Sequence, residues 1–238
     1  MKIALIGYGK MGRTIEALGR KQGISFPLII DRQNTAELNE KHCSEVDAAI
    51  EFSTPEAAAD NLLKCIELGI PIVCGTTGWK HRLEEIELAC RRQKGALFHA
   101  NNFSIGVNIL FAVNRELARI MDRFPQYRAS IQEVHHVEKL DAPSGTAISL
   151  ADEMVSQLER LRGWTLDKDK DEAKLAIEAH RQSDVKGIHT VLYESEMDSI
   201  SLRHEAKTRD AFALGALMAA DFIRTRQGIF GMQDLFNF

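Results

Sequence analysis

The sequence has no long apolar run, no excess of one charge and no paired cysteines, and each absence narrows the field. No stretch of the 238 residues approaches the ~20 consecutive apolar positions that a membrane-spanning helix needs. The opening Met1-Lys2-Ile3-Ala4-Leu5-Ile6-Gly7 is too short an apolar run for a signal peptide. With 30 Lys and Arg against 34 Asp and Glu, the net charge is −4. That balance gives no general attraction for nucleic acid or anionic lipid, so a nucleotide would need a local site. The four cysteines, Cys43, Cys65, Cys74 and Cys90, form no Cys-x-x-Cys pair. They read as structural thiols of a reducing cytoplasm rather than metal ligands. No internal repeat or low-complexity linker is apparent. What is present, 45% hydrophobic and 27% charged residues, suffices to bury a core and excludes global disorder. A soluble cytoplasmic protein with no nucleic-acid or membrane partner is expected.

The first hundred residues alternate short β-rich runs with helical patterns. Strands are expected at Lys2–Ile6, Phe26–Ile30, Ala48–Phe52, Ile70–Cys74 and Ala96–Ala100, with helices over 11–21, 55–68 and 80–94. Continuous apolar strands separated by helices imply parallel βαβ units covered on both faces. After Ser104 the pattern changes. A helix is expected over 106–121, an alternating strand over 129–136, a long helix over 146–161, and antiparallel strands at 188–193 and 200–204. Asp167–Glu172 reads as a charged surface loop, and Ala211–Ile223 as an apolar helix. The segment from about Gly163 to His180 has no assignment. The fold class is therefore α/β, with an N-terminal Rossmann-like domain followed by an α+β region.

Gly7-Tyr8-Gly9-Lys10-Met11-Gly12 has Gly-x-Gly-x-x-Gly spacing between an expected strand and helix. Gly7 permits the tight turn, Gly9 close backbone approach to a pyrophosphate, and Gly12 close helix packing, while the helix N-terminus favours the anion. Asp31 ends the second strand and is placed to accept hydrogen bonds from ribose hydroxyls, which suits NADH. Arg32 beside it suits the 2′-phosphate of NADPH, or is simply a surface charge. The pair predicts dual cofactor use. After the fourth strand, Gly75-Thr76-Thr77-Gly78 fits the nicotinamide end of a dinucleotide, or equally caps a helix. Ala100-Asn101-Asn102-Phe103-Ser104 ends the fifth strand at the same sheet edge.

The densest chemistry lies in Glu133-Val134-His135-His136-Val137-Glu138-Lys139-Leu140-Asp141-Ala142-Pro143-Ser144-Gly145-Thr146-Ala147. Glu133 and His135 share one strand face, Val134 and His136 the other, so the two histidines cannot do the same job. Either one serves as acid while the other meets substrate, or both are structural. A zinc site would want more His or Cys at ligand spacing, and none is nearby. Ser144-Gly145-Thr146 opens a helix whose first amides form an anion-binding concavity, with Lys139 as a flexible cation nearby.

The segment Glu133–Ala147 resembles the Glu-x-His-His-x-x-Lys-x-Asp-Ala-Pro-Ser-Gly-Thr-Ala signature of the 4-hydroxy-tetrahydrodipicolinate (dihydrodipicolinate) reductase family. Supporting matches are the glycine loop, Glu51-Phe52-Ser53-Thr54-Pro55, Gly75-Thr76-Thr77-Gly78, Asn102-Phe103-Ser104-x-Gly106-Val107-Asn108, Gly187-x-His189 and Arg209-x-x-Phe212-Ala213-x-Gly215-Ala216. The resemblance implies hydride transfer from NADPH or NADH to the dehydrated cyclic imine of the substrate, a dicarboxylate. It assigns His135 as proton donor or acceptor, Lys139 as a proton donor, and His136, Gly145 and Thr146 as substrate-binding. Gly7, Tyr8, Gly9, Lys10, Met11, Gly12, Asp31, Arg32, Gly75, Thr76, Thr77, Ala100, Asn101, Asn102 and Phe103 are the expected cofactor contacts, and no metal is implied. It further implies a homotetramer built through the open mixed sheet of the second domain. The dinucleotide-binding domain would span 1–104 completed by 206–238, and the substrate and tetramerisation domain 105–205. Val137 and Glu138 stand where some relatives carry basic residues, and the chain is short for the family. Two other classes share the glycine loop: dehydrogenases acting on aspartate or homoserine, and a dinucleotide-sensing regulator. Neither explains Glu133–Ala147.

Overall fold

The computed structural model describes residues 1–166 and 171–237. Of the charged run at 167–172, residues 167–170 lie outside the described residues. The chain begins with β1 (Lys2–Ile6), α1 (Lys10–Lys21), β2 (Ser25–Ile30), the single turn α2 (Glu40–Cys43), β3 (Ala48–Glu51) and α3 (Pro55–Glu67). There follow β4 (Ile72–Cys74), α4 (Leu83–Arg92) and β5 (Ala96–His99). The middle of the chain forms α5 (Ile105–Met121), β6 (Arg128–His135), α6 (Gly145–Gln157), β7 (Trp164–Thr165), β8 (Leu175–Arg181), β9 (Ile188–Glu194) and β10 (Ser199–Glu205). It closes with α7 (Asp210–Ile223), β11 (Gly228–Phe230) and α8 (Met232–Phe236). These elements divide into two compact units, one of Met1–Ile105 with Arg209–Phe238, the other Gly106–Thr208.

The first unit is a six-stranded parallel sheet in the order β11-β5-β4-β3-β1-β2. Successive residues of a strand point to opposite faces, and here both faces are covered. Ala4, Ile6, Ala49 and Ile72 pack against Leu62 and Ile66 of α3 and Ile86 of α4. Ile3, Leu5, Ile50 and Val73 pack on the other side against Ile15 of α1 and Ala213, Ala216 and Leu217 of α7. That double burial is why the central strands are predominantly apolar. Gly215 lets α7 lie against the chain after β5, since a Cβ there would stand 1.9 Å from the Phe103 carbonyl oxygen. The four cysteines are buried and unpaired, and burial raises the thiol pKa of each, which keeps them protonated and inert.

The second unit is a mixed five-stranded sheet in the order β10-β9-β6-β8-β7, with β6 antiparallel to β9 and parallel to β8. Ile131, Ile177, Val191 and Tyr193 bury one face against Leu110 and Ala118 of α5 and Leu150, Ala151 and Met154 of α6. Period-2 geometry puts Glu133 and His135 of β6, Arg181 of β8 and His189 of β9 on that same face. The site residues are thus an extension of the core face beyond its apolar end.

Several local expectations are corrected. The unassigned stretch contains β7 and β8, and β8 sits beside β6 inside the sheet. The helix after Ser144 stops at Gln157, because Leu158 turns to an extended ψ of 94°. The helix expected over 80–94 is a 3-10 turn at Lys80–Arg82 followed by α4. Neither Thr76 nor Thr77 caps it; the Thr76 hydroxyl instead accepts the backbone N–H of Ser53 at 2.9 Å.

Candidate active site

The first unit offers a cavity of about 490 Å³ beyond the carboxyl ends of β1, β2 and β3. The strand order reverses direction at β1, which places the cavity at the topological switch point where open α/β sheets bind their ligands. Gly7, Tyr8, Gly9, Asp31 and Arg32 line it, as expected residues. Gly7 needs to be glycine twice over: its φ is +93°, and a Cβ would meet the Phe52 carbonyl oxygen at 2.2 Å. A Cβ on Gly12 would stand 2.2 Å from the Gly7 carbonyl oxygen, whereas one on Gly9 would have nothing within 4 Å. Gly7 and Gly12 therefore serve the fold, and the open space at Gly9 is left for a ligand. Lys10 and Met11 open α1, whose N-cap is Gly9 with no side-chain cap. Its first amides are available to an anion. These residues fit a dinucleotide.

Tyr8 donates its hydroxyl proton to Glu16, and Asp31 accepts the Gln33 N–H at 2.7 Å. Phe52, Ser53, Thr54, Ala57 and Asn61 also line the cavity, and sequence reasoning did not place them there. Their signal was the end of β3, one of three strand ends that meet at a switch point. A second, smaller recess collects Thr76, Thr77, Ala100 and Asn101 with Trp79 and His99. Gly75 presses on Phe52, whose ring a Cβ would meet at 2.0 Å. Asn102 accepts the Ser104 N–H at 2.8 Å. The Phe103 ring is buried beside Phe52 and Phe98, so only its backbone remains for a cofactor.

In the second unit, Glu133 is fully buried at the foot of α6. Both its oxygens accept the Ser144 N–H at 3.1 Å, and Arg181 stands 3.6 Å away. A helix N-terminus and a guanidinium together compensate the buried carboxylate. Ser144 is also the N-cap, its Oγ accepting the Ala147 N–H at 3.2 Å. His135 Nδ1 lies 3.5 Å from Glu133, and His189 Nε2 lies 3.8 Å from it and 3.2 Å from Ser144 Oγ. The two imidazoles meet edge to face at 5.1 Å. His136 falls just past the end of the strand. Gly145 is exposed, with open space where a Cβ would be. Lys139 is held by both carboxylate oxygens of Asp141 at 2.8 Å rather than standing open to an anion.

The sequence expectation that no further ligand-type residue lies near His135 is corrected: strand pairing brings His189 opposite Glu133. Ligand atoms of Glu133, His135 and His189 lie within 4.8 Å of one another. The oxygens of Glu133 are already engaged by Ser144 and face Arg181, however. Glu133 is thereby charge-compensated, with the two imidazoles packed against it.

Burial, then His135, His204 and Lys139, push the His189 imidazole down to about 3. Burial is also the first cause of lowered values at His135 and His204. In the unfolded chain these imidazoles protonate near ~6.5. Between that value and about 3 the unfolded state binds more protons, so stability falls as pH falls. At pH 5 His189 alone should remove about 2 kcal/mol relative to pH 8. His189→Gln is therefore expected to flatten the acid side of the Tm–pH curve; an unchanged slope contradicts that account.

A glycine loop at the switch point of a parallel sheet, with a polar acid cluster in a second α+β unit, is the plan of a two-domain Rossmann-type oxidoreductase. Models of the dihydrodipicolinate reductase N-terminus and C-terminus match residues 1–103 and 106–236. The 4-hydroxy-tetrahydrodipicolinate reductase of Christiangramia forsetii is 44% identical, covering 100% of this chain and 98% of its own. That of Lawsonia intracellularis is 32% identical, covering 99% of each chain. Among solved structures, dipicolinate-bound dihydrodipicolinate reductase from Paenisporosarcina sp. TG-14 has a TM-score of 0.78 at 20% identity, covering 98% of both chains, a likeness of fold. The chain belongs to the dihydrodipicolinate reductase family.

Proposed function

We propose that this chain reduces the dehydrated form of 4-hydroxy-tetrahydrodipicolinate to tetrahydrodipicolinate, in the diaminopimelate branch of lysine biosynthesis. The observation that carries the reading is the position of His135 and Lys139 beside the N-terminus of α6, where the Glu133 cluster fixes one and Asp141 holds the other. When bound, NADPH or NADH supplies the hydride. The protein's own work is to grip the dicarboxylate and supply a proton. The amides of Gly145 and Thr146 face one carboxylate at the first turn of α6, and His136 contacts the substrate. Asp141 is largely exposed, so its hold on Lys139 is weak. A substrate carboxylate displaces it and takes the ammonium. His135 then donates a proton to the charge left by hydride addition, with Lys139 as electrostatic partner. Residues 1–104 with 206–238 bind the cofactor, and 105–205 bind substrate. The helix-free sheet face, which carries Gln132, Val134 and Glu178, builds a homotetramer. No described helix is long and apolar enough to cross a membrane, and the enzyme is assigned to the cytoplasm.

The reading is tested by following reduced-nicotinamide absorbance on adding substrate freshly made by the preceding pathway enzyme. Decay is expected with either cofactor; none with both would favour a dinucleotide-binding regulator. Within this reading, Asp31 and Arg32 share the cavity wall and serve different cofactors. Arg32→Ala is expected to raise KM for NADPH roughly tenfold through loss of a charge-assisted bond, leaving NADH little changed. Equal effects on both KM values would show that Arg32 does not meet the 2′-phosphate.

A further inference from the structure

We propose that Glu133 and Arg181 are the positioning pair of the proton-donor site: Glu133 orients the His135 imidazole, and Arg181 anchors the loop that carries Lys139. The proposal rests on the role given to His135 and Lys139 above. Arg181 ends β8, a strand remote in sequence from Glu133–Ala147. Its Nε donates to the Lys139 carbonyl at 3.1 Å, and a terminal nitrogen donates to the Asp141 carbonyl at 2.6 Å. The other terminal nitrogen faces Glu133 at 3.6 Å. One planar guanidinium thus ties two backbone positions of the loop to the buried carboxylate. A lysine, with one nitrogen and no fork, could not do this.

Glu133 is the other half. Its carboxylate holds the N-cap of α6 through the Ser144 N–H, and it stands 3.5 Å from His135 Nδ1, a buried atom without a hydrogen-bond partner. With Nδ1–H turned toward Glu133, the imidazolium carries its transferable proton on Nε2, and Glu133 helps to hold that charged form. Nε2 has room because residue 187 is glycine; a Cβ there would stand 3.2 Å from it. The charged and titratable groups facing His135 are Glu133 on its own strand, Lys139 and Asp141 on the loop, Arg181 on β8 and His189 on β9. His204 lies beyond His189 on β10. Glu133 and Asp141 favour the imidazolium, whereas Lys139 and Arg181 oppose it.

Removing one member of the pair should therefore move His135 in the opposite direction from removing the other. The test is NMR titration of the His135 imidazole in the full-length protein, comparing wild type, Glu133→Gln and Arg181→Gln. It reads His135 whether or not the chain proves to be a reductase. Glu133→Gln is expected to shift His135 to lower pH and Arg181→Gln to higher pH, each by about one unit. If the reductase assignment also holds, Arg181→Lys should lose at least tenfold in kcat/KM with the dicarboxylate, while cofactor KM stays near wild type. Shifts in the same direction, or none, overturn the proposal. Should Glu133→Gln fail to fold, Arg181→Gln still decides: it must raise the His135 titration, and an unmoved value overturns the pair.

Discussion

His135→Ala and Lys139→Ala are each expected to lower turnover on the order of 10²- to 10⁴-fold, the usual worth of a positioned proton donor. Neither should change the affinity for reduced nicotinamide, because both residues belong to the second unit and the glycine-loop cavity to the first. The two losses should differ in kind. His135 is rigid, buried in the Glu133 cluster, and its loss should fall on kcat. Lys139 is a flexible side chain whose resting partner is the exposed Asp141. Its loss should raise the KM of the dicarboxylate as well as lower kcat, since one cation serves ground state and transition state together. Steady-state kinetics on both variants, with dinucleotide binding followed by fluorescence, make the comparison. Wild-type turnover in both would remove these roles.

The glycine loop should show an equally large contrast. Gly12→Ala forces a Cβ to 2.2 Å from the Gly7 carbonyl oxygen, a contact with backbone that cannot swing aside. A loss of about 3 kcal/mol or more is expected from this overpacking. Gly9→Ala meets nothing within 4 Å, so its denaturation midpoint should match wild type. It should nevertheless weaken dinucleotide binding by at least about tenfold, because the added methyl occupies the approach to the pyrophosphate. Urea denaturation and dinucleotide titration separate the two effects. A stable Gly12→Ala protein, or unaltered binding by Gly9→Ala, would contradict the division of labour within the loop.

The parallel half of the fold was legible because its central strands are buried on both faces and so carry unbroken apolar runs, as in residues 3–6 and 48–50. β8 was not. Leu-Ala-Ile-Glu-Ala-His-Arg alternates weakly, and it follows a charged run that reads as loop. The family signature exposed His135, Lys139 and the α6 cap, all contiguous in the chain. It could not expose His189 or Arg181, which reach the same place only through the register of β9 and β8 against β6. Gly187-x-His189 was a visible motif, but pairing with Glu133 is a property of the sheet. Similarly, Phe52–Thr54 enter the cavity because β3 neighbours β1, and strand order is not written in any one segment. Lys139 gave the opposite lesson: its chemistry was read from sequence, whereas its resting ion pair depends on a rotamer choice two residues from Asp141.

The most direct measurement follows the hydride itself. NADPH deuterated at either C4 position in turn is mixed with the protein and freshly generated substrate, and the product is analysed by mass spectrometry. Label is expected in tetrahydrodipicolinate from one of the two deuterated forms and not from the other. Product without label from both, or cofactor bound and never oxidised, would contradict the account.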